Sequence, residues 1–359
     1  MRTISLFLLL TVGSLENTHG PFARPERGGG HSVAASPSGV LMAWSENDAS
    51  GRARIHVARL DTGGRIDSPI SVLPALTPDR NALAPSVATD GTSFLVVWEE
   101  VFGKQQTVCM AVDEKGTPIG APKAVTPEIA AADNIYEPAT VTWLGDEYAV
   151  RSDGSIPVRV ARDGTLLGQV AGAFPFAVAE NGTRVTAEVR RITGFPGRGG
   201  IPPTSQSLLA WTAGTRSGVE TIGANVPSGY AIAAAGNDFV IVSSGRDRVF
   251  YRMTASGALY SVAADVDASI PPRIECSATR CVVAYATRSG DVHGFTFSPE
   301  QPYAPQLFVA AASERFEAEP ELLILSDSRG LIAYRSGGSD ERLATRTLQF
   351  GPVKRRSVR

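Results

Sequence analysis

A strand–turn–strand unit at residues 85–118 recurs in weaker copies along most of this 359-residue chain. In its clearest copy, a short alternating strand at 86–89 precedes Asp90 and Gly91, and the run at 94–98 that follows is apolar at every position. An Asp-Gly pair between two strand-like runs is a strong hairpin signal, because glycine tolerates a positive φ. A strand that has no polar face must be covered on both faces. The unit therefore predicts a hairpin whose second strand is packed between two neighbouring sheets.

The rest of the unit predicts a four-stranded antiparallel sheet. Residues 99–106 are mostly polar and contain Gly103, so they predict a loop, and residues 107–112 predict a third strand. A turn at 113–116 leads to a weaker fourth strand at 119–125, which Pro122 interrupts as an edge strand tolerates. Four antiparallel strands, the second buried on both faces, are typical of one blade of a β-propeller.

The copies share a short strand, a turn and an apolar run, and they begin near residues 32, 86, 139, 176, 230, 273 and 321. Aromatic residues that end the apolar runs set the repeat length: Trp44 and Trp98 are 54 positions apart, and Tyr285 and Tyr334 are 49 apart. A repeat of about 40 to 55 residues matches one propeller blade. The sequence therefore predicts an all-β fold, a β-propeller of seven four-stranded blades, with six or eight blades as the alternatives.

Ring closure requires a fourth strand for the last blade. The seventh copy has a third strand at 343–348 but almost no chain after it, which would leave an open sheet edge. We expect residues around 21–27 to supply the missing strand, although Pro21 and Pro25 remove two backbone donors there. A different division of the first blade is the alternative.

The two ends of the chain have patterns of their own. Arg2 and the mainly apolar segment at 4–12 predict a secretory signal peptide over residues 1–20, because that segment is too short to span a bilayer. Gly13 and Ser14 are small enough to lie at a cleavage site, and a buried strand is the alternative reading of the segment. The predicted organisation is a signal peptide at 1–20, a propeller domain at 21–349 and a basic tail at 350–359.

Charge and hydropathy narrow the class of partner. The net charge of −2 gives no general attraction for nucleic acid, and no later segment is long and apolar enough to predict a membrane span. The signal peptide predicts a protein that is secreted or located in the periplasm or at the cell surface. We expect a monomer.

The repeat also permits a family comparison. Its clearest copy has Pro85, Asp90-Gly91 and Trp98, followed by Asp113, Gly116 and Pro118. This pattern resembles the repeats of secreted bacterial β-propeller proteins, most of them uncharacterised. The resemblance implies the fold and an exported location, and it brings no catalytic residues with it. The chain lacks the Gly-His and Trp-Asp signatures of WD40 repeats, the Asp boxes of sialidases and the calcium loops of integrin-type propellers.

Two of the three cysteines predict a disulfide. Cys276 and Cys281 flank a turn at 277–280, which brings the two residues within bridging distance, and an oxidising compartment favours the bond. Half of a zinc site is the alternative. Cys109 lies in an apolar strand and is predicted to be an inert, buried thiol.

No catalytic constellation, cofactor motif or metal site is predicted. The four histidines have no metal-ligand spacing, and we expect His31 at the surface or in a turn. Glu99 and Glu100 are expected to be solvated loop acids. Asp265 and Asp267 lack the further oxygen ligands of a calcium loop.

One insertion is the candidate ligand-binding segment. Residues 192–206 lengthen the connection between the second and third strands of the fourth blade, and the candidate residues are Arg190, Arg191, Phe195 and Arg198. Arginines can recognise carboxylate or phosphate bidentately, whereas solubilising charge is the alternative reading. The predicted function is a non-catalytic binding module for a glycan or protein partner. A hydrolase or lyase acting on an extracellular polymer, and a purely structural propeller, are the alternatives.

Overall fold

The computed structural model describes residues 17–19, 30–130, 139–152, 156–170, 174–193, 205–222, 230–245, 247–313, 317–337 and 342–351. All regular structure in these ranges is β-strand apart from turns, and no helix there is long and apolar enough to cross a membrane. Two predictions, the signal peptide and the basic tail, lie mostly outside the described residues.

The strands form seven antiparallel sheets, which are the predicted blades. The first described strand, β1 (Asn17–His19), belongs to the last blade. Blade 1 contains β2 (His31–Ser36), β3 (Gly39–Asn47), β4 (Ala53–Leu60) and β5 (Ser71–Val72). Blade 2 contains β6 (Asn81–Thr89), β7 (Phe94–Phe102), β8 (Lys104–Val112), β9 (Pro118–Ala124) and the short β10 (Ile129–Ala130). Blade 3 contains β11 (Thr140–Trp143), β12 (Tyr148–Arg151), β13 (Val158–Val160) and β14 (Leu166–Gln169).

The remaining blades follow the same order. Blade 4 contains β15 (Pro175–Val178), β16 (Arg184–Thr193), β17 (Ser205–Ala213) and β18 (Arg216–Ile222). Blade 5 contains β19 (Tyr230–Ala235), β20 (Asp238–Ser244), β21 (Arg248–Met253) and β22 (Leu259–Ala263). Blade 6 contains β23 (Arg273–Cys276), β24 (Cys281–Ala286), β25 (Val292–Ser298) and β26 (Gln301–Ala311). Blade 7 contains β27 (Glu317–Ser326), β28 (Arg329–Ser336), β29 (Arg342–Gln349) and β1.

The first strands of the blades form the inner ring. Each of β2, β6, β11, β15, β19, β23 and β27 packs against the first strands of both neighbouring blades, and β27 returns to β2. Because successive hairpins alternate direction, the loops between second and third strands lie on the same face as the blade connections. We call this the upper face. The protein is therefore a seven-bladed β-propeller, as the repeat predicted.

The apolar second strands have the two-sided burial that the sequence indicated. Phe94, Val96 and Trp98 pack in the core shared with blade 1. Leu95 and Val97 pack in the core shared with blade 3. Successive residues of a strand point to opposite faces, so an apolar run without alternation supplies two inter-blade cores at once.

The ring closes earlier in the chain than expected. Asn17 pairs with Thr345 and His19 with Leu343, so β1 is the fourth strand of blade 7. The expected closing segment, around 21–27, lies outside the described residues. Residues 17–19 contain no proline, so all three backbone N–H groups are available to a sheet. A signal peptide cleaved next to Ser14 would leave this strand in the mature chain.

The predicted loop at 99–106 is wrong. Strand β7 continues to Phe102, and β8 starts at Lys104 after a single turn residue, Gly103, whose φ is +64°. Glu99 and Glu100 are consequently 0% exposed rather than solvated. Glu100 accepts hydrogen bonds from the backbone N–H groups of Leu76 at 2.6 Å and Thr77 at 2.8 Å. Buried charges are tolerated where such bonds replace water.

The disulfide prediction is confirmed. Cys276 and Cys281 lie opposite each other in the β23–β24 hairpin and are bonded, with their Cα atoms 4.1 Å apart. Cys109 is buried as expected, and burial raises the pKa of its thiol to about 12. The thiol therefore stays protonated and is a poor nucleophile.

Candidate functional site

The insertion in blade 4 is only partly described. Arg190 and Arg191 lie on β16, opposite Leu208 and Ser207 of β17, and so precede the insertion as expected. Phe195 and Arg198 lie outside the described residues. The ligand-binding role of these four residues stays a prediction, and the structure directs attention to a different group of charged residues.

That group lies on the inner ring where blades 6, 7 and 1 meet. We call it the channel-wall cluster, and it consists of Arg273, Glu275, Glu319, Glu321, Arg335 and His31. All of these except Arg335, which is on the second strand of blade 7, are on first strands. A first strand has no hydrogen-bonded neighbour on its axial side, so polar side chains there can reach the water of the channel.

An ion pair joins two blades within this cluster. Both the Nε and the Nη2 atoms of Arg273 lie 2.8 Å from Oε1 of Glu321. The two side chains retain 40% and 19% exposure, respectively. Among the described residues, no group accepts a hydrogen bond from Nη1 of Arg273. This part of the guanidinium is therefore available to an acceptor from outside the protein.

The ion pair occupies a position that other blades fill with serine. Ser32, Ser86, Arg273 and Glu321 each pair with the residue just before the aromatic that ends the second-strand run. The serine hydroxyls accept backbone hydrogen bonds from the next blade, at 3.1 Å for Ser32 and 3.3 Å for Ser86. Of the four blades compared, only blades 6 and 7 have a charged residue at this position.

Glu275 lies two residues beyond Arg273 on the same strand. Enclosure by the channel wall raises the pKa of its carboxyl to about 7, and the negative charge of Glu321 adds to this shift. Among the described residues, none donates a hydrogen bond to Glu275. Near neutral pH the cluster therefore holds one carboxyl that exchanges a proton beside another that is ion-paired with arginine.

A β-bulge in β27 places Glu319 in the cluster. The pairing of β27 with β28 shifts register between Ala318 and Glu321, and Glu319 has a φ of +53°. Ala84 has the same position in blade 2, with a φ of +50°. The bulge is thus shared by two blades, but only in blade 7 does it present a carboxylate, which forms an ion pair with Arg335. Bulges of this kind re-aim a side chain.

His31 is not the surface or turn residue that we expected. As the first residue of the innermost strand of blade 1, it is only 7% exposed and forms a hydrogen bond with the backbone of Ala333 in blade 7. Burial lowers the pKa of its imidazole to about 3, with smaller contributions from the charges of Arg335 and Arg273. His31 is therefore neutral at physiological pH.

The two aspartates considered for calcium have other roles. Asp265 forms an ion pair with Arg288, and Asp267 accepts hydrogen bonds from the backbone N–H and hydroxyl of Ser269 at 2.9 and 2.6 Å. Within the described residues, no group of three or more His, Cys, Asp or Glu side chains is arranged to hold a metal ion.

The sequence did not predict the channel-wall cluster, because the residues that contact each other between blades are 48 or more positions apart in the chain. One signal was present. When the four copies whose runs end in an aromatic are aligned on that residue, Arg273 and Glu321 stand where the other two copies have Ser32 and Ser86. Charge at an inner-ring position, unlike charge in a turn, requires a partner across the ring.

Comparison with known proteins gives the fold and no closer relationship. Neither a protein-family model nor a curated protein matches the sequence. A chain from a mitotic checkpoint complex aligns with 98% of this chain and 95% of its own, at 9% identity and a TM-score of 0.50. The β-propeller domain of the trilobed protease from Pyrococcus furiosus covers 92% of this chain and 100% of its own, at 9% identity and a TM-score of 0.47. A sialidase from Trypanosoma rangeli, in complex with sialic acid, covers 97% of this chain and 58% of its own, at 9% identity and a TM-score of 0.46.

Proposed function

We propose that this protein is an exported, non-catalytic binding module that holds a glycan or protein partner at the channel-wall cluster. The observation that carries this proposal is the partly exposed guanidinium of Arg273, which is fixed by Glu321 and has a free Nη1 group. A planar guanidinium held on one side is pre-organised to donate hydrogen bonds to hydroxyl or carboxylate oxygens on the other.

Two of the three carboxyl groups in the cluster are engaged by arginine, which favours binding over hydrolysis. Arg273 is paired with Glu321, and Arg335 with Glu319. Hydrolysis of a glycosidic bond requires two carboxyl groups that both reach the substrate. Carboxylates that are already engaged by arginine are less available for that role, whereas mixed charge suits the recognition of a polar ligand.

The proposal is tested by thermal unfolding of the full chain in the presence of neutral and uronate-containing oligosaccharides. A ligand at about 100 times its Kd is expected to stabilise the protein by roughly 2.7 kcal/mol. Arg273→Lys keeps the positive charge but removes the planar guanidinium with its several N–H donors. This substitution should abolish the ligand-induced rise in Tm. Arg159→Lys is the matched control, because Arg159 forms a similar pair with Glu147, at 2.7 Å, on the third strand of blade 3. Equal ligand responses in both variants would contradict the proposal.

One observation favours an enzyme as the second candidate. Glu275, with a pKa of about 7, lies near the arginine-paired Glu321, and two carboxyls in different protonation states are the usual requirement for general acid catalysis by a glycosidase. In this case Glu275 would be the proton donor. Glu275→Gln should then abolish turnover of a polysaccharide while leaving its binding intact.

Export is part of the proposal and rests on Arg2 and the mainly apolar segment at 4–12, which precede β1. The Cys276–Cys281 disulfide is compatible with an oxidising compartment, where such bonds persist. Sequencing the N-terminus of the protein recovered from a secreting host tests it, and an intact Met1 would contradict it.

A further inference from the structure

A cavity lies between blades 5 and 6, away from the inner ring. It has a volume of about 290 Å³, and its walls include Ala264, Tyr285, His293, Leu307 and Val309. Thr287 and Ser289 of a second-to-third-strand loop and Asp265 of a blade connection also line it, so it opens on the upper face. We call it the blade 5–6 cleft.

One wall of the cleft is a row of residues across blade 6. Tyr285 of β24 pairs with His293 of β25, and His293 pairs with Val309 of β26. The rings of Tyr285 and His293 meet edge to face, with their centroids 6.3 Å apart. Tyr285 is 2% exposed and forms the floor.

In the equivalent rows of blades 1 and 2, a tryptophan takes the place of Tyr285, and its N–H group has a hydrogen-bond partner within the same blade. Trp44 donates a hydrogen bond to Glu46 at 3.0 Å, and Trp98 donates one to Glu100 at 3.4 Å. In each case the acceptor lies two residues beyond the aromatic. In blade 6 that position is Thr287, whose hydroxyl is engaged by Ser289 at 2.8 Å and by the backbone N–H of Asp291 at 2.9 Å.

Tyr285 therefore lacks the partner that Trp44 and Trp98 have. Within the described part of the chain, neither the Tyr285 hydroxyl nor the ring nitrogens of His293 form a hydrogen bond. Buried tyrosine hydroxyls usually have a partner. Two unpaired polar groups on the wall of a mainly apolar cleft are the arrangement found in ligand pockets.

The described residues that line the cleft carry no unpaired charge. At its rim, Asp265 is neutralised by its ion pair with Arg288. Burial lowers the pKa of His293, against the opposing charges of Asp291 and Asp265, so its imidazole is neutral at pH 7. A neutral imidazole offers one donor and one acceptor.

We propose that the blade 5–6 cleft binds a neutral, single-ring molecule that carries one hydroxyl group, of the phenol class. The hydroxyl hydrogen-bonds with Tyr285 and His293, and the ring packs against Ala264, Leu307 and Val309. An apolar cavity of about 150 Å³ is sufficient for a benzene ring, so the size of the cleft is adequate. This proposal does not rest on the function proposed for the channel-wall cluster.

The test is a titration of the full chain with p-cresol, followed by the NMR signals of ¹³C-labelled histidine side chains. The chain has four histidines, and the signal lost in His293→Gln identifies His293. We expect a saturable shift of that signal. Toluene, which lacks the hydroxyl and therefore forms neither hydrogen bond, should bind about 10- to 100-fold more weakly.

Variants separate this site from non-specific binding. Tyr285→Phe should weaken p-cresol binding about 3- to 10-fold and leave toluene binding unchanged. Tyr334→Phe, at the equivalent position of blade 7, should bind both probes like the unmodified protein. Ala264→Leu, which fills part of the cleft, should abolish binding, and the Tm of each variant establishes that it is folded.

Three results would overturn the proposal. The first is a His293 signal that does not move up to the solubility limit of p-cresol, which means that the cleft holds water only. The second is equal affinity of Tyr285→Phe and the unmodified protein for p-cresol. The third is tighter binding of methyl glucoside than of p-cresol, which means that the cleft takes a sugar rather than an apolar ring.

Discussion

Arg280, in the first hairpin of blade 6, places its guanidinium carbon 4.9 Å from the centroid of the Phe350 ring at the end of blade 7. The same guanidinium forms three hydrogen bonds. It donates hydrogen bonds to the carbonyl oxygens of Gly351 at 2.6 Å and Asp327 at 3.2 Å, and to the hydroxyl of Thr296 at 3.1 Å. This one side chain, 3% exposed, connects blade 6 to the last described residues of blade 7.

Arg280→Ala should therefore destabilise the propeller. It removes three hydrogen bonds to a charged group and a cation–π contact, and we expect a loss of about 2–4 kcal/mol in the free energy of unfolding. Urea denaturation measures it. Arg329→Ala is the control, because Arg329 is on the same face and has one exposed hydrogen bond, with Thr62. A loss no larger than that of the control would contradict the assigned role.

The buried carboxylate of Glu100 gives a second prediction. It accepts one backbone hydrogen bond on each oxygen, from Leu76 and Thr77, and an amide group can accept only one of them. Glu100→Gln is expected to cost about 2–3 kcal/mol, because the amide N–H₂ then faces a buried N–H donor. Glu114→Gln, in the exposed turn of the same blade, is the matched control and should leave the urea midpoint unchanged.

The histidine at the start of the inner ring predicts a pH dependence. The pKa of His31 is about 3 in the folded protein, against about 6.5 in an unfolded chain. The unfolded state therefore binds the proton more readily, and stability is lost as the pH falls from 6.5 towards 3. Between pH 7 and pH 5, His31 should contribute a loss of about 2 kcal/mol. Arg335 and Arg273 are the charges that face it, and both stay positive over this range.

His31→Gln removes the titrating group and isolates this contribution. Urea denaturation of both proteins at pH 7 and pH 5 should show a loss about 2 kcal/mol smaller in the variant. Parallel losses in the two proteins would mean that His31 titrates normally in the folded state.

Ring closure by β1 gives a fourth prediction. A chain that begins at residue 15 retains Asn17–His19, whereas a chain that begins at residue 30 leaves β29 as an open edge. The shorter chain should have a lower Tm and should associate through the open edge in sedimentation experiments. Removal of residues 352–359 is the control, which should change neither property. Equal behaviour of the two N-terminal variants would show that β1 contributes nothing to closure.

The blades were predictable because their signals are local. The run at 94–98 and the turn at Asp90-Gly91 lie within ten positions of each other, and their pattern is sufficient for a hairpin buried on both faces. Glu99 and Glu100 were misplaced because the donors to Glu100 come from the connection before the blade, 24 and 23 positions away. The repeated Trp-x-Glu pattern, at Trp44 and Trp98, was the signal that these acids are structural.

The candidate site was not predictable in the same way. Arg273 and Glu321 are on different blades, and their contact depends on the register of both inner strands. The binding role proposed for the blade 5–6 cleft depends on the lack of a hydrogen-bond partner for Tyr285 among the described residues. This difference is seen only when the equivalent rows of blades 1, 2 and 6 are compared. Such features require the ring to be assembled first, because inter-blade distances are set by the fold and not by sequence spacing.

The most direct test of the central claim is product analysis after incubation of the full chain with the oligosaccharide that raises its Tm most. If the channel-wall cluster is a binding site without catalysis, binding saturates and chromatography recovers the oligosaccharide intact after prolonged incubation. Shorter fragments that accumulate with the unmodified protein and disappear with Glu275→Gln would contradict this account and establish a hydrolase or lyase.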